Sequence, residues 1–282
     1  MGELPADASL GAIRLRVADL DRLRRFYEEA IGLRVLGGNG AVTSLGVEDG
    51  HPLVELEANP SAPPRPPHTT GLFHLAILVP SRADLARAIR RVVATGWRLS
   101  GASDHLVSEA LYLSDPEGNG IELYRDRPRE EWPVAGGVIR MDTLPLDLGS
   151  LLAEDDAGSP GPGMPAGTTL GHVHLQVADL AAAERFWVDA LGLDVTVRGY
   201  PGALFTSVGG YHHHVGLNTW AGAGAPSPPA GAQGLARFEL VLPDEQAVRE
   251  AGERLAAVTS VELVDDGVLA VDPSGNAVLV RT

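Results

Sequence analysis

The sequence predicts an α+β fold made of four βαβββ modules, and three observations carry that prediction. First, the chain repeats itself: LGAIRLRVADL at 10–20 returns as LGHVHLQVADL at 170–180, and RRFYEEAIGL at 24–33 as ERFWVDALGL at 184–193. Second, another repeat interleaves with it: GLFHLAILVP at 71–80 recurs as GLARFELVLP at 234–243, and DPEGN at 115–119 as DPSGN at 272–276. Third, each copy runs from an alternating apolar pattern to a helical spacing and back to short alternating runs.

Each module opens on a half-buried strand. In the first copy Ile13, Leu15 and Val17 alternate with Arg14 and Arg16, the period of two that lines one face of a strand. A helix follows, opened by Asp19 in the first copy and Asp179 in the third. A carboxylate there accepts a backbone N–H that the helix itself cannot satisfy. Phe26 and Tyr27, with their counterparts Phe186 and Trp187, are expected in the core. Short strands then lead through the DPxGN turn, which by itself specifies no chemistry, to a last strand such as GIELY at 120–124. The modules cover 9–57, 71–126, 169–220 and 234–282. They group as an N-terminal pair, 1–126, and a C-terminal pair, 169–282, around a linker at 127–168. Pro/Gly-rich connectors, ANPSAPPRPPHTT (58–70) and AGAGAPSPPAGAQ (221–233), separate the modules within each pair. Inside the linker, LDLGSLLAEDD at 146–156 is a candidate short helix that covers an edge.

Composition narrows the function. The 282 residues contain no cysteine, which excludes disulfides, thiolate metal sites and cysteine nucleophiles and suits a reducing compartment. No lysine occurs, so Schiff-base chemistry and a P-loop lysine are excluded. A net charge of −15 has the wrong sign for gripping a phosphate backbone, so nucleic acid is not an expected partner. No apolar run approaches membrane-spanning length, and MGELPADASL has no signal-peptide pattern. A soluble cytoplasmic protein is expected.

The repeat resembles the vicinal-oxygen-chelate superfamily of glyoxalases, extradiol dioxygenases, and fosfomycin- and bleomycin-resistance proteins, over nearly the whole chain. The resemblance implies that the modules pair into two cup-shaped mixed sheets with helices outside. It also implies metal ligands on the first and last strands of the contributing modules. Aligning the repeats fills those positions with Ala12 and Glu55 in module one, and His74 and Glu122 in module two. Module three supplies His172 and Gly216, and module four Arg237 and Leu279. Modules one and four offer no convincing metal set. Modules two and three offer His74, Glu122 and His172, with Gly216 leaving a corner open, on the expectation that these two modules share a cup. Two imidazoles and a carboxylate with open positions are the facial triad of a non-haem Fe(II) oxygenase. Fe(II) is therefore the expected cofactor, with Mn(II) or another divalent metal as the alternative.

Further residues follow from the same resemblance. The stretch SDHLVSEALYLSDPEGNGIELY carries His105, Tyr112 and Glu122 in the order that extradiol enzymes use for a supporting His, a Tyr and the metal-binding Glu. Tyr112 is expected to donate a hydrogen bond to bound substrate. Those enzymes also place an acid/base His near the last strand of the other module, where this chain has three histidines in GGYHHHVGLNTW at 209–220. Read as a strand, this stretch puts Val215 and Leu217 on the core face and His212, His214, Gly216 and Asn218 on the cup face. His214 is then the expected acid/base, a role that suits an imidazole, and an intervening bulge would hand it to His213. His174 is expected beside the ligands as a pocket residue, and His51 and His68 at the surface.

The expected function is extradiol cleavage of catechol or a substituted catechol with O2, a reaction of aromatic catabolism, with a small aromatic substrate and possible homo-oligomers. A glyoxalase-type isomerase is one alternative, although such enzymes usually fill the fourth ligand corner. A drug-binding or resistance protein without metal is the other, and three ligands at repeat positions speak against it.

Overall fold

Each of the four modules folds in the order strand, helix, three strands. This computed structural model describes residues 3–48, 50–154, 161, 163–264 and 266–282. Module one comprises β1 (Ser9–Val17), α1 (Leu20–Phe26), β2 (Arg34–Gly38), β3 (Val42–Gly46) and β4 (Pro52–Ala58). Module two comprises β5 (Gly71–Leu78), α2 (Arg82–Ala94), β6 (Gly101–Asp104), β7 (Ser108–Ser114) and β8 (Gly120–Asp126). The connector holds a ribbon of β9 (Val134–Ala135) and β10 (Val138–Ile139), then β11 (Leu144–Pro145) and α3 (Leu148–Leu152). Module three follows with β12 (Thr169–Gln176), α4 (Leu180–Glu184), β13 (Asp194–Val197), β14 (Ala203–Ser207) and β15 (Val215–Asn218). Module four has β16 (Gly234–Val241), α5 (Glu245–Ala256), β17 (Val261–Val264), β18 (Gly267–Val271) and β19 (Ala277–Arg281).

The fold is α+β as the repeats predict, with the strands among the described residues in two curled sheets of eight and nine strands besides the ribbon. In modules two, three and four the first and last strands run parallel and the other pairs antiparallel. Parallel neighbours need a crossover, and the module's helix supplies it. Asp19, Ser81, Asp179 and Asp244 cap the four module helices, each side chain accepting the N–H three residues on. No helix is long and apolar enough to cross a membrane among the described residues.

Contact density divides the chain into two compact units. One is Arg16–Ala62 with His74–Leu170, and the other is Met1–Leu15 with Pro63–Phe73 and Gly171–Thr282. Inside each unit the same three links join its modules. The first unit ties Tyr27 to the DPEGN turn, its hydroxyl donating to Asp115 Oδ2 at 3.3 Å. The second ties Trp187 to the DPSGN turn, its indole N–H donating to Asp272 Oδ2 at 3.2 Å. Arg91 donates to the carbonyl of Ile31 at 3.1 Å, and Arg254 does the same to Ala190 and Leu191 at 3.2 and 3.0 Å. Glu117 accepts the N–H groups of Ala18 and Asp19, and the Ser274 hydroxyl accepts that of Ala178. The DPxGN sequence therefore does more than turn the chain: its aspartate docks one module on another.

Burial pushes the Asp115 carboxyl up to about 6, against hydrogen bonds from Asn119 and Glu117 that favour its charged form. Between roughly pH 4 and 6 the folded chain holds this proton after the unfolded chain has lost it. The folded state binds more protons there, so this group's contribution to stability falls as pH rises through that window and is constant above it. At about 1.4 kcal/mol per pKa unit, the rise from 3.8 to about 6 corresponds to a change of about 3 kcal/mol. Urea unfolding at several pH values should show the stability difference between wild type and Asp115→Asn shrinking from pH 4 to 6. A difference that stays flat across that range would refute the assignment.

The helix ends add a detail that the sequence pattern did not show, and one local expectation needs correction. The first and third helices do not end as α-helices. They widen into π turns at Tyr27–Ile31 and Arg185–Ala190, where the N–H of Gly32 reaches Tyr27 and that of Leu191 reaches Phe186. The extra residue in the turn lets two successive aromatic side chains, Phe26 with Tyr27 and Phe186 with Trp187, both face the core. Gly32 ends the first such turn at φ 91°, a backbone conformation that requires glycine, and a Cβ there would lie 2.7 Å from the Arg91 guanidinium and displace it. The short linker helix exists as α3, but it packs on α2, where Arg82 donates to Ser150 and Arg90 to Leu152. The edge of β6 is covered instead by β11, paired antiparallel through Leu144 with Asp104. Residues 155–160 and 162 of the linker lie outside the described residues.

Candidate metal centre

In the first unit the parallel register of β5 and β8 sets Ala76 opposite Glu122 and His74 opposite Gly120. His74 and Glu122 therefore share a face, and their Nε2 and Oε2 atoms are 3.1 Å apart with both side chains buried. On the neighbouring strand Tyr112 stands opposite Glu122, its ring centroid 5.8 Å from that of His74. The Tyr112 hydroxyl lies 2.6 Å from His105 Nε2, and His105 Nδ1 lies 2.8 Å from the carbonyl oxygen of Asp142. Leu106, next in the chain, has φ 70° and donates its N–H to Asp104 Oδ1 at 2.8 Å. A branched residue in the left-handed region is strained, and here the strain sits in the turn that presents His105.

In the second unit His172 is buried on β12, its ring centroid 4.1 Å from that of His213 and 6.1 Å from that of His212. His174, two residues on, sits among Phe73, Phe205 and Trp220 with ring centroids 5.2–5.6 Å away. These three aromatic residues were not marked by any motif; the signal available was their place beside ligand positions at the strand ends. Gly216 has its own reason to be glycine. A Cβ there would come within 2.9 Å of the His174 ring, so the ring occupies the space a fourth side chain would need.

The histidine triplet is not in a strand, which corrects the alternation argument that favoured His214. Gly209 and Gly210, at φ 59° and 67°, turn the chain, Thr196 Oγ1 donates to the His212 carbonyl at 2.6 Å, and β15 begins only at Val215. His213 is the member packed on His172, with its Nδ1 2.7 Å from His212 Nδ1. His214 Nδ1 pairs with Ser207 Oγ at 2.7 Å, and its ring lies against Tyr211. Glu55, at the ligand position of module one, is partly exposed and pairs with Ser44. His51 and His68 are exposed.

In the first unit His74 and Glu122 set a buried imidazole beside a buried carboxylate, and in the second unit His172 is a further buried imidazole. Nitrogen donors with one anionic oxygen suit a divalent transition metal, so the donor set fits the ion that the repeat positions imply.

Repeated βαβββ modules in two curled sheets define the class of fold. The chain belongs to the Glyoxalase/Bleomycin resistance protein/Dioxygenase superfamily, whose model matches residues 9–123 and 169–278. It is 41% identical to a protein named catechol-2,3-dioxygenase from Bacillus subtilis (strain 168), over 98% of each chain. It is 31% identical, over 40% of this chain and 60% of the other, to biphenyl-2,3-diol 1,2-dioxygenase 3 of Rhodococcus globerulus. Among solved structures, a putative dioxygenase from Bacillus subtilis subsp. subtilis str. 168 superposes with a TM-score of 0.68 at 14% identity, covering 100% of this chain and 86% of that one. Glyoxalase I from Zea mays gives 0.60 at 18% identity, with 98% and 92% covered. Both likenesses are of fold.

Proposed function

We propose that the protein is an extradiol dioxygenase that opens the ring of catechol or a substituted catechol with O2, with His74, Glu122 and His172 holding Fe(II). The module pairs 1–126 and 169–282 serve as its domains. The observation that carries the reading is the buried His74–Glu122 pair with the Tyr112–His105 chain beside it. The name and identity of the Bacillus subtilis relative support it. Bound there, the iron would supply a redox-active Lewis acid able to bring O2 and the two vicinal substrate oxygens together.

The protein's own groups do the rest. His213, packed on His172, is the imidazole that takes the substrate's hydroxyl proton and later returns it. Phe73, Phe205 and Trp220 around His174 form an apolar surface suited to an aromatic ring and to keeping water away. His214, tied to Ser207, orients the turn that carries His213.

Metal analysis of anaerobically purified protein, followed by a catechol assay in the visible band of ring-fission products, tests this. Bound iron and a yellow product are expected. Protein that binds no divalent metal would sink the proposal, as would turnover of a hemithioacetal with none of catechols. Loss of a general acid/base costs about 100- to 10,000-fold. His213→Gln should therefore keep its metal and lose at least about 100-fold in kcat, whereas His214→Gln should lose less than about 10-fold. The reverse order would return the role to His214.

A further inference from the structure

We infer that the backbone carbonyl of Asp142, carried by the connector, sets the direction of the His105–Tyr112 hydrogen bond and so makes the Tyr112 oxygen an acceptor toward substrate. The ring-cleavage proposal supplies only what faces Tyr112; the direction of the bond stands apart from it. A carbonyl oxygen can only accept, so His105 Nδ1, 2.8 Å from it, carries the hydrogen. A neutral imidazole has one N–H, which leaves Nε2 with a lone pair. The Tyr112 oxygen is 2.6 Å from that nitrogen, so the phenol hydrogen points at His105. Toward any other partner Tyr112 then offers lone pairs. This reverses the donor role that the family resemblance implies for it.

The placement is built by elements that a motif search passes over. Pairing of Leu144 with Asp104 and of Pro145 with Ser103 brings the segment just before β11 alongside His105. The His105 N–H donates to the Ser108 carbonyl at 2.8 Å, and Asp104 is held by Arg127 at 2.7 Å. One competitor exists: Thr143 Oγ1 lies 3.5 Å from the same Nδ1, at the outer limit for such a bond, where the carbonyl has the better geometry. Asp142 is thus a positioning residue through its main chain, and the connector is part of the site. A substrate that presents a hydroxyl fits this polarity, and one that presents only an ether oxygen does not.

Nitrogen-15 NMR of histidine-labelled protein, with the His105 signals assigned by their loss in His105→Asn, reads the tautomer directly. The Nδ1–H form is expected in wild type, in Thr143→Val and in Tyr112→Phe, because the carbonyl and not the hydroxyls sets it. An Nε2–H form in wild type, or a switch in Tyr112→Phe, would overturn the inference. In the double variant Leu144→Gly, Pro145→Gly, which weakens β11, a tautomer mixture is expected; an unchanged pure form would remove the connector from the account. Tyr112→Phe should raise KM for catechol about 3- to 10-fold, the range for one neutral hydrogen bond, with metal content unchanged. If wild-type protein cleaved no catechol, the ring-cleavage proposal would fail while the NMR result still decided the tautomer.

Discussion

Glu122→Ala is expected to give a folded protein that retains no divalent metal and shows no ring cleavage above background. Glu122 is the only anionic member of the proposed ligand set and is buried beside His74. Its removal takes away the charge that offsets a dication and leaves two neutral imidazoles. Outer partners of metal ligands typically cost about 10–100-fold when lost, so a direct anionic ligand should cost more. Circular dichroism and metal analysis on one preparation check both halves. His172→Ala should behave the same way, whereas His105→Ala should keep its metal and turn over slowly. Full metal occupancy in the Glu122→Ala protein would refute the proposed ligand set.

The largest stability loss is expected from Trp187→Ala, about 3–5 kcal/mol by the usual cost of truncating a buried aromatic residue. Trp187 is fully buried, stacks on Phe238 with centroids 5.8 Å apart at 21°, and meets the edge of Phe186. Its indole N–H reaches Asp272, whose carboxyl burial already pushes upward. The change therefore opens a cavity and also removes one of the bonds that join module three to module four. Trp187→Phe keeps most of the ring and loses the N–H, so about 1–2 kcal/mol is expected. Urea midpoints for the two variants separate packing from hydrogen bonding. A Trp187→Ala protein within about 1 kcal/mol of wild type would show that neither matters.

Repeats made much of this molecule readable in advance. Equivalent positions in four copies separate His74, Glu122 and His172 from Ala12, Arg237 and Leu279, and an aligned residue keeps its face because strand periodicity is rigid. Helix starts were equally legible, since Asp19 and Asp179 act within three residues of themselves. What escaped depended on distant parts of the chain. The π turns arise because two adjacent aromatic residues must both enter the core, and local pattern does not record that demand. The triplet reads as a strand in isolation but is bent by Gly209 and Gly210 and held through the His212 carbonyl by Thr196. Asp142 acts through its carbonyl, which has the same chemistry in every residue and so leaves no mark in sequence.

The docking of Tyr27 on Asp115 and of Trp187 on Asp272 also bears on how the chain reaches this state. The first contact closes a loop of 88 residues and the second one of 85. Loop-closure entropy grows only with the logarithm of length, so the two halves pay almost the same entropy for these contacts. Contacts of such long sequence separation make for slow folding. The two units therefore face similar topological barriers, and neither gains a head start over the other from its topology.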